Sequence, residues 1–292
     1  MASHVFKKLS NYASLVKISH TIFSLPFAII GFYLALQNQS AAFDFLTFLL
    51  IIACVFFARS SAMSFNRIID RKYDKLNPRT QSRDIPSGKI SLKNAYIFLC
   101  INIIGFIVAT YFINPLCFFL SPIALIVVLG YSFTKRFTFF AHFVLGLGLS
   151  LAPIGAYLAV TAHFDFIPIL YSLAVLFWVG GFDIIYALSD MNFDREHKLH
   201  SIPQHFGINK SLIISAIIHI FSFAFILTAG LLGTVGLIYW IGVLIFGSLL
   251  FYQHFIVRPK DLSRINLAFF TLNGISSVIF MVFFLLDYYI SF

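Results

Sequence analysis

Apolar residues come in runs of about 20 positions, separated by short polar clusters, along the whole chain of 292 residues. That is the length an α-helix needs to cross the hydrocarbon of a bilayer. The pattern predicts spans at about 18–37, 45–65, 94–113, 115–133, 139–161, 166–187, 211–230, 235–256 and 266–288. The fold class is therefore an all-α, polytopic membrane protein with about nine transmembrane helices. No stretch reads as an interdomain linker, so 1–292 is expected to be one domain. The connections near Asn114 and Gly233 are the shortest, and two spans merge most easily there.

Composition removes the alternatives. The chain is 60% hydrophobic, 18% aromatic and 11% charged, with 38 Phe and a mean hydropathy of +0.93. A water-soluble domain of this size does not carry so much apolar material. Cys54, Cys100 and Cys117 sit inside apolar runs, without a CxxC or a His/Cys cluster, and read as small hydrophobes. No short apolar segment precedes a small-residue cleavage site, so the first helix is expected to stay in the membrane.

The net charge of +9 would suit nucleic acid, but its distribution argues for a lipid bilayer and no nucleic acid. Alternate connections hold 19 of the 20 lysines and arginines: Lys7, Lys8 and Lys17; eight within 66–93; Lys135 and Arg136; Arg195, Lys198 and Lys210; Arg258, Lys260 and Arg264. The other connections and the C-terminal tail hold none. By the positive-inside rule the N-terminus and these basic loops are cytoplasmic, with anionic headgroups as the partner of the excess charge. A bacterial inner or plasma membrane is the expected location.

The two longest basic connections, 66–93 and 188–210, each contain an acidic motif. Residues 66–74 read N-R-I-I-D-R-K-Y-D, and 120 positions on the chain reads Y-A-L-S-D-M-N-F-D at 186–194. Asp70 matches Asp190, Asp74 matches Asp194, and Tyr186 stands where Asn66 stands. Each motif precedes a similar loop, D-I-P-S-G at 84–88 and S-I-P-Q-H-F-G at 201–207. Two pseudo-repeated halves facing a shared central cavity are expected. A spacing of four puts the carboxylates one helical turn apart on one face. Two such faces offer oxygen ligands for Mg²⁺, which binds a few carboxylates together with substrate phosphate oxygens. Asn66, Asp70, Asp74, Asp190 and Asp194 are the candidate metal ligands, and Asp70 and Asp190 the candidate catalytic pair through that metal. Arg71, Lys72, Arg79, Arg83, Lys135, Arg136, Arg195 and Lys198 are candidates to grip the remaining diphosphate oxygens. Against this stands the plain reading of acids and arginines at helix ends as solvated interface residues; the duplication favours the metal site.

Asp183 lies about two turns inside the sixth span, where an acid costs roughly 2.5–3.5 kcal/mol on insertion scales and signals function by default. Arg59 lies comparably deep in the second span. Either both serve the site, or they pair and hold the two spans together. Tyr186 either reaches the phosphate or acceptor or belongs to the interfacial aromatic belt. His197, His200 and His205 read as loop residues, since the neighbouring carboxylates suit a harder ion.

At these residues the chain resembles the UbiA-type intramembrane aromatic prenyltransferases. The resemblance rests on N-R-I-I-D-R-K-Y-D (66–74), R-T-Q-S-R-D-I-P-S-G (79–88), Y-S-F-T-K-R (131–136) and D-I-I-Y-A-L-S-D-M-N-F-D (183–194). It implies nine transmembrane helices around a central cavity and Mg²⁺-dependent transfer of a prenyl group from a polyprenyl diphosphate to an aromatic ring. It puts the Asn66, Asp70, Asp74, Asp190 and Asp194 set on metal–diphosphate positions, and Asp183, Tyr186, Lys135 and Arg136 at the cavity mouth. The pattern is similar to the 4-hydroxybenzoate branch of ubiquinone synthesis, with departures at Arg67, commonly Asp, and His200, commonly Lys. The opening S-H-T-I-F-S-L-P-F-A (19–28) is similar to a subgroup acting on carboxylated naphthoquinols of menaquinone synthesis. Either acceptor is an aromatic acid whose carboxylate needs a cation, for which Lys17 and Arg59 are the candidates. Asp183 is a candidate for the base that removes the ring proton. A non-catalytic carrier remains the alternative of another class: Pro26 and Pro153 within spans fit it, while the crowding of acids at one membrane face does not.

Overall fold

The computed structural model describes residues 12, 14–39 and 42–291. Lys7 and Lys8, counted in the charge map, lie outside the described residues. A 3₁₀ segment, Ile18–Phe23, leads into α1 (Leu25–Gln39). There follow α2 (Phe45–Ile69), α3 (Arg71–Leu76), α4 (Leu92–Ile113), α5 (Pro115–Thr134), α6 (Ala141–Thr161) and α7 (Phe166–Ala187). A 3₁₀ turn, Leu188–Asp190, joins α7 to α8 (Met191–Glu196). The chain continues through α9 (Ile202–Leu232), α10 (Leu237–Ile256), a π-helical segment (Leu267–Leu272) and α11 (Asn273–Ser291). Eight helical spans are long and apolar enough to cross a bilayer, or nine if the bent pair Ser14–Phe23 and Leu25–Asn38, angled by 45°, is one broken span. The protein is an integral, multi-pass membrane protein.

Polar residues at the run ends set the helix boundaries. Asp44 accepts from the Leu46 and Thr47 amides to cap α2, and Ser91 from Asn94 to cap α4. Asn114 accepts from Cys117, with Pro115 at the first position of α5. The link at Asn114 is thus a genuine break between two spans. Outward positions such as Ile104, Phe112, Phe119, Ile126 and Leu244 are exposed, as lipid-facing residues are.

α7 is the central helix, packed between α6 and α9; α1 packs on α6 and α11, and α2 on α4 and α5. Its inner face is aromatic: Trp178 and Phe182 pack with Phe23, Phe27 and Phe246. Close approach comes from small residues. A side chain at Gly31 of α1 would collide with the Pro153 carbonyl of α6, and one at Gly146 of α6 with the Leu176 carbonyl of α7.

The connection before the seventh span is partly helical. Residues 202–206 form a short helical turn that Ser201 caps and Pro203 suits. Gly207, expected in a loop, is non-helical at φ 74°, ψ 175° and breaks the helix, so the long span resumes after it, close to the expected 211. The last span opens with the π-helical turn. Asn273 sustains it: its Nδ2 donates to the Ala268 and Phe269 carbonyls, and its Oδ1 accepts from Trp178 Nε1 at 2.8 Å. Such turns recur at functional sites, and this one sets Phe269 face to face with Tyr186, ring centroids 4.0 Å apart.

Candidate active site

The two halves repeat at the level of backbone. Each long helix is interrupted before a six-residue helix begins: α2 at Asp70, α7 through the 3₁₀ turn Leu188–Asp190 that ends on the first Asp of its motif. Asp70 sits at the break with φ −89°, ψ 3°, and Asp190 with φ −107°, ψ 1°. The motifs therefore straddle a break rather than lying on one unbroken helix, as the spacing alone suggests. The four-residue spacing still holds, since the Asp74 amide donates to the Asp70 carbonyl at 2.8 Å. Asp74 and Asp194 are buried on the short helices α3 and α8.

All four carboxylates line one cavity of about 800 Å³, with Asn66, Asp183 and Tyr186. Cations meet them there. Arg79 forms a two-pronged pair with Asp190 and donates through its other terminal nitrogen to the Tyr186 hydroxyl at 2.6 Å. Arg83 contacts Asp74 at 2.5 Å, Arg136 contacts Asp70 at 3.1 Å, and Lys135 lies 3.9 Å from Asp194. Burial pushes the Asp70 carboxyl up; the Arg136 hydrogen bond pulls it down, and Asp74 adds to the rise, which prevails. Burial works against the Lys135 ammonium, yet Asp194, Asp183, Asp190 and Asp70 outweigh it and hold Lys135 above the ordinary lysine value.

Not every expected residue arrives. Arg71 donates to the Ile68 carbonyl at 2.7 Å, and Arg71, Lys72, Arg195 and Lys198 do not line the cavity. They sit on faces of α3, of α8 and of the loop after α8 that point away from it; Lys72, Arg195 and Lys198 are solvent-exposed. Asp183 does not pair with Arg59. Its Oδ2 meets His142 Nδ1 on α6 at 2.6 Å. Lys17 and Arg59 both line the cavity, and the Arg59 Nε is buried without a hydrogen-bond partner among the described residues.

Sequence reasoning missed several lining or supporting residues. Buried Arg67 was noticed only as a departure from a pattern. Asn77 donates to Asp190 at 3.2 Å, and Tyr131 also lines the wall. His142 is fully buried, and its only signal was a histidine within an apolar run.

Among the described residues no three His, Cys, Asp or Glu side chains form a metal cage by themselves. Mg²⁺ fits the residues present: Asp74 Oδ2 is a buried carboxylate oxygen with no hydrogen-bond partner, an arrangement costly unless a cation or donor satisfies it, and Asp194 Oδ2, also without a hydrogen bond, faces the Lys135 ammonium at 3.9 Å.

A second chamber of about 330 Å³ lies between α2, α5 and α6 and shares Arg59, Met63, Tyr131, Leu145 and Leu149 with the cavity as common walls. Its walls are apolar, with Ala58, Ala62 and Val55 near α2 and Ala152, Ala156 and Leu158 on α6. Along α2 it runs from Met63 to Ile51, about 18 Å at the helical rise. Fold and site define an intramembrane protein with a charged cavity beside an apolar chamber.

Comparison with known proteins narrows the class. A model of the UbiA prenyltransferase family matches residues 24–275. A 4-hydroxybenzoate octaprenyltransferase from Tolumonas auensis is 30% identical over 247 residues, covering 84% of this chain and 86% of that protein. The apo structure of a UbiA homolog from Aeropyrum pernix superposes with a TM-score of 0.83 at 29% identity, over 92% of this chain and 98% of that one. A UbiA homolog from Archaeoglobus fulgidus, bound to DMAPP and Mg²⁺, shares the fold with a TM-score of 0.77 at 18% identity, over 96% of this chain and 99% of its own. This chain belongs to the UbiA prenyltransferase family.

Proposed function

We propose that the protein transfers a polyprenyl group from a polyprenyl diphosphate to an aromatic acid bearing a ring hydroxyl, 4-hydroxybenzoate, with Mg²⁺ as cofactor. The observation that carries this reading is the convergence of two duplicated acid pairs and their cations on one cavity that shares a wall with an apolar chamber. The names of the relatives agree with it. The distribution of lysines and arginines supports an acid-lined mouth facing the cytoplasm.

Asn66, Asp70, Asp74, Asp190 and Asp194 would hold Mg²⁺, whose charge, when bound, offsets the negative charge of the departing diphosphate. Arg79, Arg83, Lys135 and Arg136 grip diphosphate oxygens, with the two-pronged geometry of Arg79 matching a phosphate as well as it matches Asp190. The isoprenoid tail occupies the apolar chamber. The rings of Tyr186, Phe182 and Phe269 border the space where the allylic carbon becomes positive, and aromatic faces stabilise cations there. Arg59, at the junction of the two chambers with an unpartnered Nε, receives the acceptor carboxylate. Lys17 lines the opposite, more exposed rim.

The test is to assay membranes carrying Asp70→Ala or Asp190→Ala with Mg²⁺, labelled polyprenyl diphosphate and 4-hydroxybenzoate. Both variants are expected to lose product; unchanged turnover in both overturns the assignment. Offering 4-hydroxybenzoate and a carboxylated naphthoquinol together, with mass spectrometry of the lipid products, identifies the acceptor. Solute flux into proteoliposomes without any prenylated product would instead point to a carrier.

A further inference from the structure

His142 is a histidine with both ring nitrogens committed. It is fully buried on α6. Its Nδ1 lies 2.6 Å from Asp183 Oδ2, and its Nε2 accepts the Ile202 backbone N–H at 3.3 Å. An amide can only donate, so Nε2 carries no proton and the ring proton sits on Nδ1, where it is given to Asp183. The Ile202 amide belongs to the first turn of α9, where amides lack helical partners. The connection leading into it is tied down as well: the Leu199 amide donates to the Asp194 carbonyl and the His200 amide to the Lys135 carbonyl. One imidazole thus joins a cavity-lining carboxylate to the loop that follows the second acid motif.

We propose that His142 is the positioning residue for Asp183, and that the pair serves removal of the ring proton from the aromatic acceptor. This rests on the transferase reading above. In the reaction the allylic C–O bond breaks and its electron pair leaves with diphosphate. The ring carbon beside the hydroxyl-bearing carbon then bonds to the allylic carbon. The C–H pair at that ring carbon returns to the ring as its proton passes to Asp183. The Nδ1–H bond fixes which Asp183 oxygen is occupied, so the other oxygen is the one offered to the cavity. A carboxylate held by a histidine fixed from its far side loses little orientation when the substrate enters.

The test uses the purified full chain in lipid nanodiscs with His142→Leu, which keeps volume without hydrogen bonds, and His142→Gln, whose amide can donate to Asp183 and accept from Ile202. Two rates are read: transfer to 4-hydroxybenzoate, and hydrolysis of the prenyl diphosphate to prenol without acceptor. The expected result for His142→Leu is a transfer kcat lower by about 100-fold, the range of one general-base contribution, with hydrolysis and the prenyl diphosphate KM unchanged. A primary isotope effect should appear with ring-deuterated acceptor. His142→Gln should recover most of the transfer, and Asp183→Asn combined with His142→Leu should be no worse than Asp183→Asn alone. Parallel loss of hydrolysis and transfer overturns the proposal, because His142 would then only support the fold. Unimpaired transfer in His142→Leu also overturns it. Absence of both rates in the unsubstituted protein would count against the transferase reading itself.

Discussion

Arg79 spans the mouth of the cavity to Asp190, more than a hundred positions away in the chain, and fastens Tyr186 with the same guanidinium. It ties the loop after the first motif to the second motif, so the two halves share one electrostatic centre. The same fork that grips a carboxylate suits a phosphate, and a lysine cannot reproduce it.

Arg79→Lys keeps the charge and loses the fork. The expected outcome is a rise of about tenfold in KM for the prenyl diphosphate, equivalent to about 1.4 kcal/mol of binding, with kcat less affected. Steady-state kinetics at saturating acceptor check it.

Asp70 titrates above the usual carboxylate range because burial and Asp74 disfavour its charge. Protons therefore compete with Mg²⁺ at this group at a higher pH than for an exposed aspartate. The Mg²⁺ requirement should steepen as pH falls through the raised Asp70 value and level off above it. For the metal-free protein the sign is opposite: a carboxyl raised in the folded state favours folding at low pH, and that contribution is lost as pH rises past its folded value. Lys135, raised rather than lowered, stays charged throughout. Activity titrated with Mg²⁺ at several pH values measures the first effect, and thermal unfolding without metal the second.

Ala62 lines the entrance to the apolar chamber on α2. Ala62→Phe fills that entrance, and a side chain of this size cannot be absorbed without displacement of neighbours. Long-chain diphosphates should lose turnover by tenfold or more, while a C10 donor retains most of it. A donor-length series with product analysis reads the ratio.

Asn273 satisfies Trp178 and two π-turn carbonyls at once. Asn273→Leu leaves these buried groups without partners, at a cost of about 1–3 kcal/mol each in the absence of rearrangement. The detergent-solubilised variant is expected to unfold several degrees lower, and Phe269 to lose its stacking on Tyr186, seen as weaker prenyl diphosphate binding.

How much of this was legible along the chain depends on the range of the interaction responsible. The spans were readable because each must satisfy its backbone bonds within itself and show lipid an apolar surface, a demand that acts residue by residue. The acid motifs and their cations were readable because the chain states them twice with the same spacing. Their charge also had to lie at helix ends, where the bilayer tolerates it. The breaks at Asp70 and Asp190 were hidden, since nothing in the local sequence distinguishes a kinked helix end from a continuous one.

Partner choice was decided by tertiary structure alone. Asp183 is audible in sequence as an acid inside an apolar span, and Arg59 was the companion the sequence offered; His142 is found only once α2, α6 and α7 are packed. The small residues at Gly31 and Gly146 bring α1, α6 and α7 together, and α6 presents His142, not α2 its arginine. The same packing turns Arg71, Lys72 and Lys198 away from the cavity and admits Arg67 and Asn77. Sequence determined which residues must avoid lipid; only the angles between helices determined which of them meet, because a side chain's neighbours across a bundle are set by contacts that no periodicity along one strand of chain records.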